Sequence, residues 1–120
     1  MKEDRLPLLL TVMREAATNA LDFTDGMSFE DFRKDKRTEQ AVAMSLVIIG
    51  ESATKALTND PNLEAKYSQI SWIEIRGMRN RIAHGYNEIE FAVVWDTLKN
   101  ELPELLLSID EILNLEFKKI

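Results

Sequence analysis

Residues 40–57 read Gln40-Ala41-Val42-Ala43-Met44-Ser45-Leu46-Val47-Ile48-Ile49-Gly50-Glu51-Ser52-Ala53-Thr54-Lys55-Ala56-Leu57, and the choice of fold turns on them. The run is too long for a buried strand and apolar almost all round through Ile49, so it predicts a central helix over about Thr38–Leu57. Toward the N-terminus, Leu6, Leu9, Leu10, Met13, Ala16, Ala17, Ala20 and Leu21 recur at three- and four-residue steps, which predicts an amphipathic helix from Arg5 to Phe23 with Pro7 in its first turn. Asp25-Gly26 ends it, and Ser28 with Asp31 forms a capping pattern for a short helix over Phe29–Arg33, with Phe29 and Phe32 as its buried side. Toward the C-terminus, Thr58-Asn59-Asp60-Pro61 reads as a loop, and Ser71-x-x-Glu74 as a capping box opening a helix from Trp72 to His84 that Gly85 terminates. Ile89–Phe117 is helical in pattern, kinked or split near Asn100–Glu101 by Pro103. No stretch alternates as a strand does. The expected fold is all-α, an antiparallel bundle of four or five helices in one domain over residues 1–120.

The chain has 120 residues, 45% of them apolar, no Cys, one His and a formal net charge of -6. That is enough apolar content for one core and too short a chain for a two-domain enzyme. Without Cys there is no disulfide framework, thiolate nucleophile or zinc finger, and one imidazole per chain excludes a two-His metal site. No metal and no cofactor are expected. The start Met1-Lys2-Glu3-Asp4-Arg5 and the lack of an apolar run near the roughly 20 residues of a bilayer span predict neither signal peptide nor membrane helix, and a cytoplasmic location. An acidic total argues against a broad phosphate-binding surface. The charge is unevenly placed, however. Residues 71–86 carry Arg76, Arg79 and Arg81 against Glu74, net +2, and hold the only His, whereas residues 87–120 carry eight acids and three bases, net -5. A second basic cluster, Arg33-Lys34-Asp35-Lys36-Arg37, reads as a solvated turn.

One segment could carry chemistry: Met78-Arg79-Asn80-Arg81-Ile82-Ala83-His84-Gly85-Tyr86. On a helix Arg76, Asn80 and His84 lie four apart in one stripe, and the break at Gly85 leaves Tyr86 on a loop beside it. These groups suit phosphodiester cleavage. An imidazole can take or give a proton at neutral pH, and a guanidinium matches a phosphate bidentately while keeping its charge. One chain supplies one imidazole, so a two-fold dimer would be needed to bring base and acid into one cleft. On spacing alone a second reading stays open, in which His84 merely interacts with the helix dipole, the arginines pair with acids and Tyr86 packs.

The order Arg79-Asn80-x-x-x-His84-x-Tyr86 resembles the Arg-x4-His-x-Tyr signature of the HepT-like toxins of the HEPN superfamily. Four further blocks resemble that family in the same order: Asp35–Val42, Ile48–Ala53, Trp72-x-x-Ile75-x-Gly77-Met78-Arg79-Asn80, and Val94-Trp95 through Leu102-Pro103-Glu104-Leu105. The resemblance implies a homodimeric helical bundle with the active cleft at the dimer interface. It further implies a metal-independent endoribonuclease, the toxin of a type VII-like HEPN/nucleotidyltransferase toxin–antitoxin system. Its partners would be an RNA substrate and a cognate minimal nucleotidyltransferase antitoxin that silences it by AMP transfer to Tyr86. Carried over residue by residue, Arg79 and His84 are the catalytic pair, Asn80 a polar support, and Tyr86 the AMP acceptor; Arg76, in the same helical stripe as Asn80 and His84, is expected to be a further supporting residue. Glu51 follows the most apolar part of the central helix, where an unpaired acid is costly, and is expected to face the cleft and pair with a motif arginine. The alternative function is a non-catalytic helical binding subunit of a nucleotidyltransferase complex.

Overall fold

The computed structural model describes residues 5–85 and 89–117, apart from the side chain of His84. Its helices are α1 (Leu6–Phe23), α2 (Phe29–Arg33), α3 (Lys36–Asn59), α4 (Leu63–Lys66), α5 (Trp72–His84), α6 (Phe91–Asp96) and α7 (Leu102–Glu116), the last two joined by a π-helical turn, Thr97–Glu101. Among the described residues there is no strand. The fold class read from periodicity is the one observed.

Helix α3 is the centre. It packs against α1 on one side and α5 on the other, and α1 in turn packs on α7, so the long helices lie in the order α5, α3, α1, α7. On α1 the buried residues Leu10, Met13, Ala17 and Ala20 step by three and four, and on α3 Val42, Leu46, Ile49, Ala53 and Ala56 do the same. Small residues at Ala17, Ala20, Ala43 and Ala53 let the two backbones approach closely, and one continuous core results. The Cα extents are 48 × 31 × 19 Å, a slab about two helices thick at the usual 8–10 Å spacing. Helix α3 is also the one described helix long and apolar enough to match a bilayer span, with mean hydropathy 1.3 over the relevant window. Half of that window is buried inside the bundle, as a core helix requires.

Several local expectations are met and several corrected. Ser28 accepts from the Asp31 backbone N–H (3.0 Å) while Asp31 accepts from that of Ser28 (3.1 Å), the reciprocal box that sets α2. The central helix is longer than expected at both ends. Asp35, not a residue nearer Thr38, caps it by accepting from Thr38 N–H and Oγ1 (3.2 and 2.8 Å). Those bonds hold the Asp35 carboxyl below its ordinary pKa. Thr58 and Asn59 belong to the helix rather than to the loop. Ser71 makes no side-chain cap to α5, so the Ser71-x-x-Glu74 box does not form. What fixes the start of α5 is Trp72, fully buried, whose indole N–H donates to the Tyr67 carbonyl at 3.1 Å. The break expected near Asn100–Glu101 is the π-helical turn: Pro103 cannot donate to the carbonyl four residues before it, and the widened turn takes up the mismatch.

The basic cluster at the α2–α3 junction is not merely solvated. Arg33 Nη1 pairs with Glu39, whose side chain is only 7% exposed, and the guanidinium lies 5.0 Å over the Phe91 ring. Phe32 meets the rings of Phe91 and Trp95 at 6.1 and 5.0 Å, so α2, α3 and α6 are tied at one corner. Arg33 thus neutralises a buried acid, and Arg33→Ala is expected to destabilise the fold by about 2 kcal/mol in urea titration by stranding Glu39. The double variant Arg33→Met, Glu39→Leu should recover most of that loss. An Arg33→Ala midpoint equal to the parent's would refute the assignment.

Candidate functional site

Helix α5 carries the motif, and its attachment is narrow. Trp72, Ile75, Arg79 and Ile82 recur at steps of three and four and form the side that meets α3. Trp72 and Ile82 are buried and Ile75 packs on the core, so the fourth place on an otherwise apolar seam is held by a charged residue. An arginine fits there because of what lies opposite. A Cβ added at Gly50 would overlap Arg79 Cβ, lie 2.8 Å from Arg79 Cγ and 3.1 Å from the Ile75 carbonyl oxygen. The aliphatic stem of Arg79 therefore rests on bare α3 backbone, a close approach that glycine alone allows. A glycine inside a helical pattern is itself a signal of such contact, although its partner could not be read from the sequence.

The next residue supplies the charge. Glu51 Oε2 lies 3.6 Å from Arg79 Nε, with side-chain exposures of 51% and 18%. The structure thus brings together Glu51 and a motif arginine. The separation is an ion-pair distance rather than a hydrogen bond, and Arg79 Nε is shut off from solvent without a hydrogen-bond partner. A buried unsatisfied donor costs about 1–3 kcal/mol.

The other motif residues sit elsewhere on α5. Arg76 is half-buried and Asn80 exposed, and neither side chain makes a hydrogen bond or ion pair among the described residues. Arg81 is exposed and reaches only the Met78 sulfur, at 3.8 Å. His84 is the last helical residue, and Gly85 donates its N–H to the Arg81 carbonyl at 3.0 Å to close the helix. The His84 side chain and Tyr86 lie outside the described residues. Positions 79 and 84 are five apart, about 140° around a helix of 3.6 residues per turn.

The order Arg79-Asn80-x-x-x-His84 thus sits at the C-terminal end of a helix seated on a glycine, with its first arginine beside an acid. The family described as Ribonuclease HepT-like matches residues 13–112. The chain belongs to that family. Among curated relatives, one from Methanocaldococcus jannaschii, provisionally named an RNase, is 36% identical over 112 residues, covering 93% of this chain and 89% of its own. Another with the same provisional name, from Caldanaerobacter subterraneus subsp. tengcongensis, is 38% identical over 116 residues, 97% of this chain and 99% of its own. A protein of Thermococcus cleftensis named as a probable ribonuclease HepT is 39% identical over 84 residues, 70% of this chain and 74% of its own. No solved structure matches the chain significantly.

A different face of α5 in this HepT-like chain opens on a groove of about 730 Å³ between α5 and the α6–α7 segment. Its apolar lining includes Leu46, Ile49 and Leu105, and its rim carries Glu74, Asp96, Glu101 and Glu104 against Arg81. Burial, and then the charges of Glu74, Asp96 and Glu104, hold the Glu101 carboxyl above its ordinary pKa. A rim of this sign repels a polyanion, so this groove is ill suited to hold a phosphate backbone. Because the folded pKa of Glu101 exceeds the unfolded one, its ionised form costs stability at neutral pH, and the cost vanishes below the unfolded value. Glu101→Gln is therefore expected to raise Tm slightly at pH 7, with the gain shrinking to nothing as the pH falls to about 4. A gain that grows on acidification, read by scanning calorimetry, would contradict this.

Proposed function

We propose that this HepT-like chain is a metal-independent endoribonuclease toxin whose active cleft is completed across a homodimer, and that AMP transfer to Tyr86 silences it. The observation that carries the reading is the combination of family membership with an arginine seated beside an acid at the start of the Arg79–Tyr86 motif. In this mechanism the 2′-hydroxyl oxygen attacks the adjacent phosphorus and the bond to the 5′-oxygen breaks. One His84 imidazole takes the 2′-hydroxyl proton and that of the second protomer protonates the leaving 5′-oxygen. Arg79 neutralises charge on the non-bridging oxygens as it builds. Arg76 and Asn80, neither engaged with another described side chain, are available to position the strand.

Two observations support a dimer. Within one chain, positions 79 and 84 leave α5 about 140° apart, so convergence of their functional groups calls on a second copy. Along α3 the residues Met44, Ile48, Glu51 and Lys55 form an exposed stripe, with Met44 57% and Ile48 38% exposed, and Glu51 of that stripe stands beside Arg79. Apolar side chains exposed next to the motif are what an isologous contact through α3 and α5 would cover. AMP on Tyr86 would add phosphate charge and a nucleoside within two residues of His84, competing with the substrate phosphate. An RNA substrate also fits a cytoplasmic setting.

Cleavage is tested with purified protein, RNA and excess EDTA. The parent is expected to cleave, His84→Ala to lose about 10²–10⁴-fold, and pretreatment with the cognate nucleotidyltransferase and ATP to silence the parent but not Tyr86→Phe. Equal cleavage by parent and His84→Ala would remove the nuclease reading and favour a non-catalytic subunit that only binds the nucleotidyltransferase. The dimer is tested by Ile48→Glu, which should convert it to monomer in sedimentation analysis without unfolding it, since Ile48 is already exposed. A parent that is monomeric at micromolar concentration would sink the shared cleft.

A further inference from the structure

We infer that Gly50 and Glu51 form a seat that positions Arg79 and determines which edge of its guanidinium meets a phosphate. Three facts converge on it. The stem of Arg79 lies against α3 where Gly50 has no side chain, so the first part of the arginine has no room to move toward α3. Its Nε is solvent-inaccessible and lacks a hydrogen-bond partner, yet has the Glu51 carboxylate 3.6 Å away, less than about an ångström from hydrogen-bonding distance. Glu51 itself is half-exposed, so its position beside Arg79 is not forced by burial.

The consequence is a division of the guanidinium. An arginine can grip a phosphate side-on, through Nε and one Nη, or end-on, through Nη1 and Nη2. With Nε closed off against α3 and facing Glu51, the side-on edge is unavailable, and the end-on edge remains for the substrate. Glu51 acts here as a positioning residue: it holds the guanidinium plane through the group that does not touch substrate. Its negative charge also weakens the attraction of Arg79 for a resting phosphate, so its benefit is confined to a transition state that needs the guanidinium in one orientation. Gly50 sets the stem and Glu51 sets the plane.

This rests on the ribonuclease reading for its kinetic part, and the test separates the two. In steady-state cleavage of a short RNA, Glu51→Ala is expected to lower kcat about tenfold with KM unchanged or reduced. Glu51→Gln, which keeps an acceptor for Nε but not the charge, should lose less. In an Arg79→Lys background, which has no Nε–H, Glu51→Ala should cost nothing further. A rise in kcat for Glu51→Ala would make the pair an inhibitory latch, and a loss confined to KM would make Arg79 a ground-state contact; either overturns the inference. The Arg79 Nε–H is followed by nitrogen-15 NMR on the protein without RNA. It should exchange slowly and shift in Glu51→Ala, and exchange as fast as that of exposed Arg81 would overturn the seat whatever the activity. Slow exchange in a protein that does not cleave RNA would instead overturn the ribonuclease reading alone.

Discussion

The contact on which the rest of the structure depends is the approach of α5 to α3 at Gly50. Helix α5 is held mainly by α3, and the seam between them is built from Trp72, Ile75, Arg79 and Ile82 against the central helix. Any side chain at position 50 would push the helices apart at the point where the arginine crosses. An arginine on a buried seam is ordinarily a poor choice, because desolvating its charge is costly. Here the stem and Nε are buried, and the charged end reaches the edge of α3 beside Glu51. Packing and charge are therefore solved by two consecutive residues of α3, and the same two residues orient the motif.

Charge is sorted by face rather than by total. A net charge of -6 is unpromising for a protein that meets RNA, yet the acids of the C-terminal half gather along the α5–α7 groove, where they raise the pKa of Glu101. Of the arginines of α5, Arg79 meets α3 at Gly50 while Arg81 lines the acidic groove, and Arg33 is taken up by buried Glu39 and the Phe91 ring. The acidic groove and the seated arginine are therefore two sides of one helix with opposite preferences for a polyanion. The groove side of α5 is therefore the one that discourages an RNA strand.

Much of the fold was legible in the sequence because the helices carry their own signals. The limits of α2 follow from Ser28 and Asp31, and those of α5 coincide with Trp72 and Gly85. What could not be read depended on partners distant in sequence. The Ser71-x-x-Glu74 pattern was a sound cap by composition, but Trp72 anchored by Tyr67 sets the entry of α5 and leaves Ser71 without a capping role. The short α4 has too few residues to show a period. Arg33 looked like part of a solvated run because its partners, Glu39 and Phe91, lie on two other helices. For the site, a link between Glu51 and a motif arginine was foreseeable from the cost of an unpaired acid, whereas the role of Gly50 needed the tertiary contact itself.

The single imidazole and the seam together bear on the proposal that such a small bundle works as a pair of chains. Arg79 is committed to α3 by its stem, so it cannot swing round α5 to the side on which position 84 leaves the helix. A longer protein could supply a second base from another loop, but a 120-residue bundle has its core spent on four long helices and holds one His and no Cys. A two-fold axis beside Met44 and Ile48 offers a solution within those limits. It would cover exposed apolar surface, double the available imidazoles and present two seated arginines to one phosphodiester, all without lengthening the chain.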